Sequence, residues 1–189
     1  AAINAANAGD TVDVKAGTYD TKVVLDKAIT VKCRTGTGDD CIVQGPGGAA
    51  ANILFEFNGA GVVTVLDGFT VRRGTGIGTI FGTFEFNDLA GGMYIRNGAR
   101  PVIRNCKILE NLAAQVTAGI TVADAFPEFS NCLIGDNLGV GMRVVGTSIA
   151  TINGCTFRGN TSVGLALGVG SIQTTIILRG RSTAFINNS

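Results

Sequence analysis

Residues 105–111 read Asn-Cys-Lys-Ile-Leu-Glu-Asn, residues 131–137 read Asn-Cys-Leu-Ile-Gly-Asp-Asn, and residues 154–160 read Gly-Cys-Thr-Phe-Arg-Gly-Asn. Each copy has a cysteine, a large apolar residue two positions later, and an asparagine five positions after the cysteine. Weaker copies stand at 69–74 and 184–189. The cysteines lie 26 and 23 residues apart. A period of this length is typical of solenoids, in which each repeat forms one turn of a coil.

A second pattern precedes each of these copies. Gly92, Gly119, Gly141 and Gly164 each begin a segment in which apolar residues occupy the second and fourth positions. The first three glycines lie 14, 13 and 14 residues before the cysteine of their repeat. Each repeat therefore carries short strands in a fixed order, with about 23 residues per turn.

The repeat also predicts how the turns stack. Alternate residues of a strand face opposite sides, so each cysteine and the apolar residue two positions later point into the coil. Equivalent residues of stacked turns lie about 4.8 Å apart. We expect Asn111, Asn137 and Asn160 to form a ladder at a bend, because asparagine tolerates left-handed backbone angles.

Composition excludes several classes of function. The chain has 28 glycines among 189 residues, which favours many tight turns, and it contains no apolar run long enough to span a membrane. Its net charge is +1 and it lacks tryptophan, which argues against nucleic-acid binding. Histidine is absent, which removes the commonest general base and transition-metal ligand.

Five cysteines suggest an oxidising compartment. Cys106, Cys132 and Cys155 are expected in the core, although adjacent turns are close enough that one disulfide across two turns is an alternative. Cys33 and Cys41 bracket a polar turn, and we predict a disulfide between them. At least one thiol stays unpaired because the number is odd.

The N-terminal part resembles a known family. Residues 1–19, with Gly-Asp-Thr-Val at 9–12 and Gly-Thr-Tyr at 17–19, resemble the opening of secreted right-handed parallel β-helix proteins of the pectin-lyase-like superfamily. Residues 28–33 and 65–71 resemble later strands of that family. The resemblance implies an all-β solenoid with a short N-terminal capping helix. It also implies one domain over 1–189, with an incomplete C-terminal end, as a segment of a longer chain.

Members of this superfamily include pectate lyases, polygalacturonases and alginate epimerases. Gly38-Asp39-Asp40 resembles the Gly-Asp-Asp of polygalacturonases, but the histidine segment that accompanies it there is missing, so we interpret it as a turn. The resemblance makes three outward bases, Lys107, Arg72 and Arg158, weak catalytic candidates across which an acidic polysaccharide would lie.

No cofactor is expected except, weakly, Ca²⁺. Glu110 and Asp136 would be neighbours on adjacent turns, and two carboxylates in this arrangement are a weak candidate for holding the ion. More often such a pair is a solvated edge.

An insertion marks one turn as different. Seventeen residues, Thr75 to Gly91, separate the bend at Gly74 from the next strand, whereas the equivalent gap is seven residues after Asn111 and three in the later turns. Insertions at one repeat position often form the binding face of a solenoid. The candidate binding residues in this insertion are Phe81, Phe84, Glu85, Phe86 and Asp88. The phenylalanines either contact a partner or fold back over the coil.

These observations favour a non-catalytic extracellular or cell-surface β-helix with a structural or recognition role. Its partner would be a polysaccharide, another surface protein or a second copy, with neither nucleic acid nor a membrane span involved. One alternative is a polysaccharide lyase or epimerase acting on uronate polymers. Another is an ice-binding solenoid, although the expected column of Tyr94, Thr121, Arg143 and Ala166 is mixed rather than a threonine array.

Overall fold

The chain winds into a coil in which each turn adds one strand to each of three parallel sheets. The computed structural model describes residues 2–45, 53–59, 61–76, 90–167, 174–179 and 183–188. Phe81, Phe84, Glu85, Phe86 and Asp88, the predicted binding residues, lie outside these ranges.

Each sheet collects the equivalent strand of successive turns. Sheet A contains β1 (Thr11–Val14), β4 (Thr30–Cys33), β7 (Val65–Asp67), β10 (Val102–Arg104), β13 (Glu128–Ser130), β16 (Ile149–Asn153) and β19 (Thr175–Arg179). Sheet B contains β2 (Gly17–Asp20), β5 (Cys41–Gln44), β8 (Thr70–Arg72), β11 (Lys107–Leu109), β14 (Leu133–Gly135), β17 (Thr156–Arg158) and β20 (Ala184–Ile186). Sheet C contains β3 (Val23–Leu25), β6 (Phe55–Asn58), β9 (Met93–Arg96), β12 (Leu112–Ala123), β15 (Leu138–Val145) and β18 (Leu165–Leu167).

The register confirms the repeat. Ile108 pairs with Ile134, and Ile134 pairs with Phe157, so the three strong copies of the motif lie directly over one another. The ladder asparagines lie 26, 23 and 28 residues apart, so a turn is longer and more variable than the expected 23 residues. The predicted all-β parallel coil is confirmed.

A four-residue helix, α1 (Ala2–Ala5), lies at the N-terminal end, as predicted. Ile3 and Ala6 pack against the core. The Lys27 ammonium donates to the carbonyl oxygens of Asn4 at 2.8 Å and Ala6 at 3.1 Å. These carbonyls have no partner within the helix, so a lysine that binds them also complements the negative end of the helix dipole. The described residues include no helix of the length and apolarity that a membrane span needs.

The interior is a set of apolar columns, one for each inward position. In sheet B, Val43, Val71, Ile108, Ile134 and Phe157 are at most 3% exposed. A single turn contributes only one strand to each sheet, so it cannot bury these side chains by itself. They are buried by the turns above and below.

The predicted asparagine ladder is present and fully buried. The Asn137 side-chain oxygen accepts from the backbone N–H and the side-chain amide of Asn111, both at 3.0 Å. The Asn137 amide donates to the carbonyl of Ile108 at 3.1 Å and to the Asn160 side-chain oxygen at 2.9 Å. The pattern extends to Asn188, which binds Asn160. Each buried amide thus satisfies its own polar atoms and those of the preceding turn.

One detail of the ladder was wrongly predicted. The residue with left-handed backbone angles is the one before each ladder asparagine: φ is 54° at Glu110, 54° at Asp136, 61° at Gly159 and 47° at Asn187. That residue makes the bend, which turns the next side chain inward. Asparagine is therefore selected at the ladder for its buried amide and not for its backbone freedom.

A glycine column faces the ladder. A Cβ on Gly119 would lie 2.1 Å from the carbonyl oxygen of Gly141 and 3.2 Å from the Asn137 amide nitrogen. Gly92 and Gly141 meet the following turn in the same way. Gly92, Gly119 and Gly141 are therefore required by the close approach of the turns, whereas a Cβ on Gly164 would meet only the side chains of Phe157 and Asn188, at 3.0 and 3.1 Å. The seven-residue gap after Asn111 is not a loop: it belongs to β12, whose pairing with β15 shifts register twice.

A buried acid lies on the outer side of sheet C. Glu56 is 7% exposed and forms ion pairs with Lys22 at 2.6 Å and Arg96 at 2.5 Å. Burial raises the pKa of the Glu56 carboxyl, but the hydrogen bonds from Lys22 and Arg96 outweigh it, so the pKa is lowered. The Arg96 guanidinium also lies over the Tyr94 ring, 5.5 Å from its centroid. Burial raises the pKa of the Tyr94 hydroxyl.

Replacing the central ladder residue tests the importance of the amide column. We expect Asn137→Ala to lower the free energy of unfolding by roughly 2–4 kcal/mol, because buried donors and acceptors on both neighbouring turns lose partners. Asn153→Ala, at an exposed position of sheet A, is the matched control and should change it by less than about 0.5 kcal/mol. Urea denaturation followed by circular dichroism measures both, and equal losses would contradict the assignment.

The Glu56 cluster predicts a pH dependence of stability. A lowered folded pKa stabilises the protein above the unfolded value of about 4.3, and this contribution is lost as pH falls through the folded pKa. We expect Glu56→Gln to lower the free energy of unfolding by roughly 1.5–3 kcal/mol at pH 7, a difference that shrinks below about pH 4. Glu128→Gln, at an exposed position of sheet A, is the control. A difference that stays constant from pH 7 to pH 3 would refute the charge-based account.

Candidate functional site

A groove of about 460 Å³ follows the bend between sheets A and B across three successive turns and reaches a residue of the fourth. Its lining residues are Asn105, Cys106, Lys107, Asn131, Cys132, Leu133, Gly154, Thr156, Arg158 and Ile186. Most of them come from equivalent positions of the three turns, whereas Arg158 and Ile186 stand further along their strands in sheet B. The bend is made by left-handed residues, with φ of 54° at Asn105, 51° at Asn131 and 58° at Gly154. Each of the three turns therefore contributes its own bend residue to the lining of the groove.

Lys107, one of the predicted bases, lies on the rim of this groove. Its ammonium contacts the Asp39 carboxylate at 2.5 Å, although the two residues are 68 positions apart in sequence. Asp39 belongs to the polar turn between Cys33 and Cys41, which the structure joins by a disulfide with a Cα–Cα distance of 5.8 Å. The Thr70 hydroxyl donates to the carbonyl of Gly38 and fastens the turn over sheet B.

Arg158 also lines the groove, but Arg72 does not. Arg158 is half exposed and lies 3.8 Å from the Asp136 carboxylate. Arg72 donates to the Gln44 side-chain oxygen at 3.2 Å, and Gln44 in turn donates to Asp20. The three predicted bases therefore do not form one cluster: two share the groove, and Arg72 belongs to a polar row nearer the N-terminal end.

The proposed carboxylate pair lies at the bend between sheets B and C. Glu110 and Asp136 follow the paired residues Leu109 and Gly135, so they are neighbours as expected. Each is more than half exposed and has an arginine nearby, Arg73 at 3.6 Å from Glu110 and Arg158 at 3.8 Å from Asp136. Ca²⁺ takes six to eight oxygen ligands. Within the ranges that the structure describes, no group of three or more acidic, cysteine or histidine side chains converges on one point.

Polar residues that the sequence pattern did not single out complete the groove. Asn105 and Asn131 precede the motif cysteines, and Thr156 follows one. The Asn105 amide donates to Asp67 at 2.8 Å, and Asp67 also accepts from Arg104 at 2.9 Å. Their recurrence before the cysteine was the available signal, since a polar residue at a left-handed bend is exposed while the cysteine that follows it is buried.

The threonines form no extended array on the paired strands. In sheet B, Lys107 and Leu133 stand between Thr70 and Thr156. In sheet A, Thr11 and Thr30 are adjacent, and Val65 follows. The column that begins with Tyr94 is mixed, as the sequence indicated.

Similarity to known structures concerns the fold. Pectin methylesterase PemA from Erwinia chrysanthemi matches with a TM-score of 0.52 and 12% identity, over 80% of this chain and 47% of that chain. A pectin methylesterase solved with a hexasaccharide matches with a TM-score of 0.51 and 11% identity, over 96% of this chain and 61% of that chain. The chain thus spans about half to three fifths of the length of these structures. Identities this low establish a shared architecture and no more.

Sequence comparison identifies the family. No curated protein sequence matches the chain. The family described as "Right handed beta helix region" matches residues 28–179, which covers most of the three sheets. The chain belongs to the right-handed β-helix family, with the pectin-lyase-like architecture that the resemblance of its N-terminal part implied.

Proposed function

We propose that this chain is a non-catalytic recognition segment of an extracellular or cell-surface β-helix protein, and that it binds an acidic polysaccharide in the groove between sheets A and B. The observation that carries the proposal is the groove itself, which brings Lys107 and Arg158 together with the side chains of Asn105, Asn131 and Thr156. Cations and amides on a concave strip suit a polymer that bears carboxylates and hydroxyls. The Cys33–Cys41 disulfide supports an oxidising compartment.

The spacing of the charges favours a polymer over a small anion. Lys107 pairs with Leu133, and Leu133 pairs with Thr156, so Lys107 and Arg158 stand two turns apart. Two turns correspond to roughly 10 Å along the coil. A single carboxylate does not span that distance, whereas a chain of acidic sugars lying along the groove presents one carboxylate to each base. Leu133 between them offers an apolar surface for the face of a sugar ring.

The chemistry of the groove favours binding over cleavage. General acid–base catalysis needs a positioned group that exchanges a proton near the working pH. The lining residues of the groove include no carboxyl group, and the chain has no histidine. Lys107 forms an ion pair with Asp39. The Glu56 carboxyl lies on sheet C, away from the groove, and its pKa is lowered. The lining of the groove therefore includes groups that can bind a ligand, but no group that can act as a general acid.

Removing the groove bases tests the proposal directly. We expect Lys107→Ala and Arg158→Ala each to weaken binding of polygalacturonate oligomers about five- to tenfold, with a steep loss of affinity as salt is raised. The matched control is Lys32→Ala, because Lys32 also pairs with an aspartate, Asp13, but lies on sheet A. Calorimetry at two salt concentrations measures the affinities.

Three outcomes of that experiment would count against the proposal. An equal loss in the Lys32 variant would show nonspecific charge attraction. Ultraviolet-absorbing unsaturated product, formed with Ca²⁺ present and lost in Lys107→Ala, would instead establish a lyase. No binding to any uronate polymer would leave the coil with a structural role.

Asp39 should compete with the ligand for Lys107. Its side chain is 72% exposed, and such an ion pair contributes no more than about 1 kcal/mol. We therefore expect Asp39→Asn to strengthen oligogalacturonate binding two- to fivefold, because a cation is released in the groove. Asp13→Asn, which releases Lys32 on sheet A, is the control and should leave the affinity unchanged. Weaker binding by the Asp39 variant would mean that Asp39 positions Lys107 for the ligand.

A further inference from the structure

The bend between sheets A and B carries an insertion in one turn of the coil. In the next four turns, two residues join the strand of sheet A to that of sheet B: 68–69, 105–106, 131–132 and 154–155. The second residue of each pair is buried, and in the last three of these turns it is one of the free thiols Cys106, Cys132 and Cys155. By the register of the sheets, Cys33 and Cys41 stand beside residues 68 and 69. Residues 34–40, the inserted turn, are therefore extra at the bend that the groove follows.

The inserted turn lies over the next turn of the coil. The Thr70 hydroxyl donates to the Gly38 carbonyl, and Thr70 is only 6% exposed although it stands on the outer side of sheet B. A Cβ on Gly68 would lie 3.3 Å from the carbonyl carbon of Gly36, so the inserted turn rests on the bend itself. Gly68 is buried, whereas Asn105 at the next bend is exposed. The inserted turn thus covers the position at which the groove would otherwise continue.

The inserted turn also reaches the first residues of the groove. A Cβ on Gly38 would lie 3.2 Å from the Asn105 carbonyl oxygen, and Asp39 forms the ion pair with Lys107. The lining of the groove begins at Asn105 and includes none of residues 68–70. The groove is therefore closed at this end by backbone.

This wall is held at its ends and from within. The Cys33–Cys41 disulfide joins the two ends of the inserted turn. Within it, the Gly36 N–H donates to the Cys33 carbonyl at 3.0 Å, and the Thr37 hydroxyl donates to the Asp40 carboxylate at 3.0 Å. Because these contacts fix its conformation, the inserted turn is a preorganised surface against which a ligand can rest.

Asn105 presents a hydrogen-bond acceptor beside the wall. Its side-chain amide donates to one oxygen of Asp67 at 2.8 Å, and the other oxygen of Asp67 accepts from Arg104 at 2.9 Å. An ionised carboxylate can only accept, so the amide nitrogen of Asn105 faces Asp67 and its side-chain oxygen faces the opposite way. That oxygen can accept from a sugar hydroxyl. A terminal sugar has one hydroxyl more than an internal sugar, because it lacks one glycosidic bond.

We propose that the groove binds the terminal sugar of an acidic polysaccharide against the inserted turn, with the rest of the polymer running towards Ile186. The proposal rests on the proposed function and names the part of the polymer that is recognised. The terminal hydroxyl contacts Asn105, and the carboxylate of the terminal sugar binds the Lys107 ammonium. An internal stretch of polymer along the same line would have to pass through the backbone of residues 34–40. Ile186, at the other end of the lining, is 47% exposed.

The number of protein molecules bound to each polymer molecule tests the proposal. We expect one protein molecule for each molecule of long polygalacturonate, measured by sedimentation analysis, because only one end of a polymer has the required structure. Short oligogalacturonates should bind with the same affinity per mole of chain ends. Several protein molecules on each polymer, with an affinity that follows the total sugar concentration, would overturn the proposal.

Modified oligogalacturonates identify the end that is bound. One set carries an aromatic label on the reducing end, and another has an unsaturated non-reducing sugar that lacks its terminal hydroxyl. We expect one of the two modifications to weaken binding to the unaltered protein about tenfold, and the other to leave it unchanged. Equal affinity for the labelled, unsaturated and unmodified oligomers would overturn the proposal.

Removing the wall provides the matched variant. Deletion of residues 34–40 together with Cys33→Asn gives this bend the Asn-Cys pair that stands at 105–106 and 131–132. We expect the variant, with its fold checked by circular dichroism, to bind several molecules to each long polymer and to lose its sensitivity to modified ends. A folded variant that still binds one molecule to each polymer would contradict the proposal. If the deletion prevents folding, the ligand series with the unaltered protein decides the result.

The Lys107→Ala variant separates this proposal from the proposed function. Binding that Lys107→Ala weakens, but that is indifferent to chain ends, would overturn the recognition of the terminal sugar alone. No binding to any uronate ligand would overturn both.

Discussion

The register between successive turns is the constraint on which the rest of the molecule depends. Every strand satisfies its backbone N–H and C=O groups only through the turns above and below it, so a shift of one turn would affect all three sheets. The weak points are the corners, where the chain leaves one sheet for the next. At one corner the asparagine ladder supplies the missing hydrogen bonds from a buried side chain. At the same corner the glycine column lets the backbones approach closely.

Because the register is fixed, residues at one repeat position lie side by side on the surface of the coil. Residues that recur at one repeat position form a row parallel to the axis, and each turn contributes one member to it. The inward rows must be apolar, but the outward rows are free to vary. The groove follows one such row at a bend, and so its lining repeats from turn to turn. This repetition is why we propose a ligand with its own repeat.

The repeat allowed the architecture to be predicted because burial and stacking act on every turn alike. Asn111, Asn137 and Asn160 were identified for this reason. The preceding residue was missed as the bend, because it differs from turn to turn: it is Glu110, Asp136 and Gly159, so no single residue type marks the position. Asn188 completes the ladder although the last copy of the motif has no cysteine.

The candidate site was harder to predict than the fold, since it depends on contacts that do not repeat. Alternation correctly placed Lys107, Arg72 and Arg158 on the outer side of sheet B, but it does not tell which outward residues flank a bend. The pair of Lys107 with Asp39 joins residues 68 positions apart through a turn that occurs once in the coil. The groove nevertheless follows from one distance, the separation of neighbouring turns. Bases two turns apart are separated by roughly 10 Å along the coil, which is too far for one small anion to contact both, and this is why we propose an elongated ligand for the groove.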